Sequence, residues 1–115
     1  MGYDVHITRA AEWSDSMASP ISLDEWIAYV KSDPEMRLDG VAETRTPNGD
    51  VLRYENPGLA VWLTHSGRDK GRTPWFDLRR GRVTVKNPDP EILEKMRQVA
   101  KALGARVQGD EGESY

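Results

Sequence analysis

The sequence predicts an α+β domain: an antiparallel β-sheet, a meander of about five strands plus terminal strands, with two α-helices packed on one face. Three observations predict it. Short apolar or alternating runs recur at hairpin distances, two segments repeat apolar residues at helical spacing, and the order β-α-β-β-β-β-β-α-β leaves mostly hairpin connections. Each helix carries only one apolar stripe, so it must bury that stripe against a sheet rather than stand inside a bundle.

The elements follow in order. Tyr3, Val5 and Ile7 alternate with Asp4, His6 and Thr8, the period-2 pattern of a half-buried strand. A polar stretch through Ala18, Ser19 and Pro20 leads to Ser22 and Glu25, which have capping-box spacing, while Ile21 and Trp26 have the spacing of a hydrophobic staple. Leu23, Trp26, Ile27 and Val30 form one stripe, and Pro34 disfavours helical geometry at Asp33, so a helix is predicted from about Leu23 to Lys31. Val41 to Thr46 and Val51 to Glu55 flank Pro47-Asn48-Gly49-Asp50, whose Asn-Gly pair tolerates the positive φ of a tight hairpin turn.

Leu59 to Leu63 is continuously apolar, as a central strand covered on both faces would be. After a polar, glycine-containing loop (66–74), Trp75 to Arg79 and Arg82 to Lys86 read as a second hairpin about Arg80-Gly81. Asp89 and Pro90 suit the N-cap and first position of a second helix, which presents Ile92, Met96, Val99, Ala100 and Leu103 on one stripe and ends at Gly104. Trp26, Ile27, Met96 and Leu103 are the expected helical core. Ala105 to Gln108 is expected as a short edge strand, followed by an acidic tail (109–115) whose order the sequence leaves open.

At 115 residues the chain is expected to be one domain (1–115), since two halves would each lack a core. Charged residues make up 30% and mean hydropathy is −0.70, so a modest interior carries a heavily charged surface. The absence of cysteine removes disulfides, thiolate nucleophiles, iron–sulfur clusters and the usual structural zinc sites. The start of the chain has no basic region followed by an apolar stretch, no secretory signal is expected, and no run approaches the ~20 apolar residues of a membrane span. A cytoplasmic location is the expectation. Charge is unevenly spread: from Glu12 to Asp50 nine acids stand against Lys31, Arg37 and Arg45, whereas from Arg68 to Lys86 seven bases stand against Asp69 and Asp77.

Chemistry-bearing patterns are weak. Only His6 and His65 could work as acid–base groups near neutral pH without a large shift, and a metal would need both plus carboxylates without any close-spaced ligand pair, so neither metal nor cofactor is expected. Ser66 lacks a nucleophile elbow and, next to His65 on a strand, would point to the opposite face. Glu55 with Asp77, or His6 and His65 with Asp77, are conceivable acid–base sets that no spacing brings together. The loop carrying Arg68, Lys70 and Arg72 lacks P-loop spacing.

A more informative cluster joins that loop to Trp75, Phe76, Arg79, Arg80 and Arg82. Aromatic and basic residues together suit single-stranded nucleic acid, and Trp with Arg equally suit a protein hot spot. The alternation of Trp75, Asp77 and Arg79 with Phe76 and Leu78 also fits an ordinary strand with Phe76 and Leu78 in the core. The acidic residues Asp24 to Asp39 and Asp110, Glu111 and Glu113 could meet a basic partner.

Tyr3-Asp4-Val5-His6-Ile7-Thr8-Arg9-Ala10 with Glu12-Trp13, and Lys86-Asn87-Pro88-Asp89 continuing to Val107-Gln108-Gly109-Asp110-Glu111-Gly112-Glu113, resemble a family of small, mostly uncharacterised bacterial proteins over nearly the whole chain. Some members resemble immunity proteins of polymorphic toxin systems. The resemblance implies a binding protein rather than an enzyme: an immunity-type inhibitor, or antitoxin, that neutralises a cognate toxin domain by site blocking. The expected partner-binding set is Arg68, Lys70, Arg72, Trp75, Arg79, Arg80, Arg82, Asp110, Glu111 and Glu113. The alternative readings are a nucleic-acid-binding module using the Trp75–Arg82 hairpin and, behind it, a small enzyme with a His6/His65 site.

Overall fold

The computed structural model describes residues 3–66 and 74–115. Strand β1 (Asp4–Thr8) leads through a 3-10 helix (Trp13–Ala18) to α1 (Leu23–Ser32). The strands β2 (Met36–Leu38), β3 (Val41–Arg45), β4 (Val51–Glu55), β5 (Leu59–Trp62), β6 (Trp75–Arg79) and β7 (Arg82–Lys86) follow, then α2 (Pro90–Leu103) and β8 (Arg106–Gly109). Among the described residues six strands form one antiparallel sheet in the order β2-β5-β6-β7-β1-β8, and β3 and β4 form a separate two-stranded sheet. The α+β class and its antiparallel sheet are therefore as the apolar patterning predicts.

Local chemistry sets both helix starts. The Ser22 hydroxyl accepts from the Glu25 N–H at 3.1 Å while the Glu25 carboxylate accepts from the Ser22 N–H at 3.3 Å, so two otherwise unsatisfied donors are capped reciprocally. Ile21 and Trp26 staple this start and are both buried. Asp89 caps α2 by accepting from the Ile92 N–H at 2.8 Å, and Pro90 occupies the first turn, where no intrahelical N–H is needed.

One apolar cluster joins Trp26 and Val30 of α1 and Ile92, Met96, Val99, Ala100 and Leu103 of α2 to Val5, Ile7, Phe76, Leu78, Val83 and Val85 of the sheet. Those sheet residues alternate along their strands and so share a face, which places both helices on it. Trp26 is the anchor. It is fully buried, a burial of about 200 Å² worth up to about 5 kcal/mol, and its indole N–H donates to the Gly58 carbonyl at 2.8 Å. Gly58 itself lies so close to Leu78 that a Cβ there would stand 2.8 Å from the Leu78 carbonyl oxygen.

Three features differ from expectation, and a fourth settles what the sequence left open. The α1 stripe is turned: Leu23 is exposed and Ile27 only half-buried, because the staple directs Trp26 and Val30 inward. Lys95, on the polar side of the α2 pattern, is buried and bridges Asp33 at 2.8 Å and Glu35 at 2.9 Å, fastening α2 to the end of α1. The three-residue strand β2, too short to stand out, pairs with β5, and the β3–β4 hairpin, expected as part of the meander, stands outside the main sheet. The end of the chain is folded. Gly109 N–H donates to the Glu113 carbonyl at 2.9 Å and Tyr115 N–H to the Val107 carbonyl at 3.0 Å, covering the edge that β8 would otherwise present.

Candidate functional site

With helices on one face, the other face of the sheet displays the remaining alternate residues, among them His6 of β1, Asp77 and Arg79 of β6, Arg82 and Thr84 of β7, and Gln108 of β8. At its β1–β8 end the 3-10 helix lays Trp13 against His6, the rings stacked at 4.2 Å and inclined by 18°. Trp13 is held from two more sides: its backbone N–H donates to the Gln108 side chain at 2.6 Å and its indole N–H to the Asp110 carbonyl at 3.1 Å.

His6 is almost completely buried. Its Nε2 meets Asp110 Oδ1 at 2.8 Å and its Nδ1 meets Thr84 Oγ1 at 2.9 Å. A neutral ring with the proton on Nε2 satisfies both contacts, donating to the carboxylate and accepting from the hydroxyl. Burial lowers the His6 pKa below its ordinary value, against the opposing pull of Asp110. Burial works to raise the pKa of Asp110, but the Asp4 N–H at 2.9 Å and His6 outweigh it and hold the carboxyl below the usual range.

Arg82 lies over the Trp13 ring, its guanidinium carbon 5.0 Å from the ring centre. Arg82 is half-buried, its Nε is buried without a hydrogen-bond partner, and its cross-strand partner is Arg79. Its pKa is lowered first by burial and then by Arg80 and Arg79. Arg79 leans on Asp77 at 3.3 Å and sits over the Tyr54 ring at 5.7 Å, and the Tyr54 hydroxyl donates to Asp77 at 2.8 Å. Asn56 also donates to Asp77, so the root of the β3–β4 hairpin is tied to β6. Beyond that root every residue of β4 is exposed, including Val51, Leu52 and Tyr54. Leu52 and Tyr54 share one side of the strand.

The sequence-derived set is thereby divided. Arg79, Arg80 and Arg82 gather at the β6–β7 turn, whereas Trp75, half-buried, starts β6 about 13 Å away and Phe76 is in the core. Arg68, Lys70 and Arg72 lie outside the described residues. Asp110 is committed to His6 and the Asp4 N–H, and Glu113 accepts from the Tyr3 hydroxyl; Glu111 is exposed. Trp13, Leu52 and Tyr54 were absent from the set. A tryptophan in a polar stretch and apolar residues at both sequence parities of the β4 strand were the available signals.

The two histidines do not meet. His6 faces away from the helices, while His65 follows β5, three strand positions from β1, and its Nε2 lies 2.7 Å from Asp89 Oδ2 at the start of α2. Asp77 belongs to neither, and Glu55 binds Arg53. Ser66 donates from Oγ and N–H to Glu91, at 2.6 and 3.1 Å. Ligand atoms of His65, Asp89 and Glu91 lie within 4.8 Å of one another, close enough to hold one divalent cation. Asp89 also caps α2 and Glu91 also anchors Ser66.

Fold and site together define a small α+β protein with an arginine–aromatic face beside a projecting hairpin. No protein family, no curated protein and no solved structure matches the chain. Among the described residues no helix is long and apolar enough to cross a membrane.

Proposed function

We propose that this chain is a small cytoplasmic binding protein whose target is another protein, and that it acts as an immunity-type inhibitor, neutralising a cognate toxin domain by covering its site. The observation that carries the reading is the β3–β4 hairpin. A lone two-stranded ribbon is marginally stable in water, yet this one holds Val51, Leu52 and Tyr54 exposed at 49%, 58% and 36%. Apolar side chains on a projecting arm gain most when a partner covers them. The root of the arm meets Arg79 through Tyr54, and arginine with aromatic neighbours is the side-chain chemistry that dominates protein interfaces. The bacterial family that the two ends of the chain resemble supplies the toxin-inhibitor part of the reading.

The nucleic-acid alternative draws less support. Phe76 is withdrawn into the core, Trp13 is covered by His6 and Arg82, and the net charge of −3 repels phosphate at long range.

Co-expression with the proteins encoded by neighbouring genes tests the proposal. The expected result is growth rescue from one of them and a 1:1 complex on size exclusion, with Leu52→Asp weakening that complex at least about tenfold while leaving the melting temperature unchanged. Failure of every neighbouring product to bind at micromolar concentration overturns it.

A further inference from the structure

Arg82 breaks three local rules at once. Like charges directly opposite each other in a hairpin repel, and Arg79 faces Arg82 across the ladder with Arg80 in the turn between them. A buried donor normally finds an acceptor, and Arg82 Nε has none; nor does Arg82 form a hydrogen bond or ion pair with any described residue. Burial and its two arginine neighbours disfavour its charge. The nearest opposing influence is Asp110, whose two oxygens are already engaged by His6 and the Asp4 N–H.

The same side chain is nonetheless held in place. The Trp13 ring lies against its guanidinium, and Trp13 is held by stacking on His6, by its indole N–H to the Asp110 carbonyl and by its backbone N–H to the Gln108 side chain. A rigid, under-neutralised guanidinium loses little freedom when it binds, and its planar fork matches an oxyanion with two oxygens. Rule-breaking offset only by the Trp13 ring and the charge of Asp110 is what a functional position shows.

We infer that the guanidinium of Arg82, held over Trp13 at the β6–β7 turn, is a carboxylate receptor, and that the carboxylate it takes is an acidic side chain of the partner protein. Arg79, exposed beside it, supplies a second positive charge, and Leu52 and Tyr54 supply the apolar contact next to it. The source of the carboxylate rests on the proposed function; the receptor itself does not.

The test is titration of the full chain at constant ionic strength, read at the Arg82 Nη–H groups, the guanidinium edge that is not buried, by proton–nitrogen NMR, with sodium acetate, a tetraglutamate peptide and sodium chloride in separate arms. The receptor predicts a saturable downfield shift with acetate and with the peptide, none with chloride, and a several-fold tighter midpoint for the peptide. Trp13 fluorescence should follow the same midpoint, lose its response in Arg82→Gln and keep only a weakened one in Arg82→Lys, where charge remains but the fork is gone. A linear shift common to all three salts, or an unchanged fluorescence response in Arg82→Gln, overturns the receptor. Equal midpoints for acetate and peptide overturn the protein-borne source. A toxin complex that forms with Arg82 silent sinks this inference alone, whereas a responsive Arg82 without any complex sinks the proposed function alone.

Discussion

Replacing Asp110 by alanine removes the one carboxylate that holds the buried end of the outer face together. Its Oδ1 accepts from His6, whose ring is 3% exposed, and its Oδ2 accepts from the Asp4 N–H. The orphaned imidazole donor should cost about 1–3 kcal/mol and the partly accessible backbone N–H less, about 0.5 kcal/mol, because water reaches it. Asp110 is itself about a third exposed, so no further charge contribution is counted. The expected loss is therefore about 1.5–3.5 kcal/mol, a large part of the ~5–15 kcal/mol that holds a domain of this size. In urea, with a slope of about 1.5 kcal/mol/M, the midpoint should fall by about 1–2.3 M with the slope unchanged. A fall of less than about 0.3 M would show that His6 finds another acceptor and that Asp110 does not organise this face.

Three further outcomes follow from the same structure. The folded His6 has a pKa below its unfolded value, so its contribution to stability is complete above about pH 6.5 and declines as pH falls toward the folded value; Asp110, also lowered, adds a second decline below about pH 3.8. Urea midpoints from pH 8 to 5 should show the first decline in the wild type and not in His6→Gln, and a flat wild-type profile contradicts it. Lys95→Met leaves Asp33, 10% exposed, without its ammonium partner and should cost about 3 kcal/mol, with Lys95→Met/Asp33→Asn recovering more than half; equal losses in both variants argue against the ion pair. Gly58→Ala drives a Cβ to 2.9 Å from the Leu78 Cβ and should cost about 1–3 kcal/mol, visible as a fall in melting temperature of several degrees, and an unchanged melting temperature refutes the close approach.

Sequence by itself determined whatever depends on residues a few positions apart. Ser22 with Glu25, Gly49 at φ 85°, and Asp89 with Pro90 satisfy or shape their own backbone, and the period of Val5 and Ile7 or of Met96 and Leu103 says which side turns inward, so the strands, helices and α+β class could be read along the chain. Tertiary structure alone decided which edge β5 offers and to whom: β2 occupies it, and the hairpin becomes an arm. It also brought Trp13, His6, Arg82 and Asp110 into one stack from four separated parts of the chain, and sent His65 to another partner at the start of α2. No local pattern encodes such meetings, because they depend on the distances and angles that sheet closure imposes between segments as much as 104 residues apart.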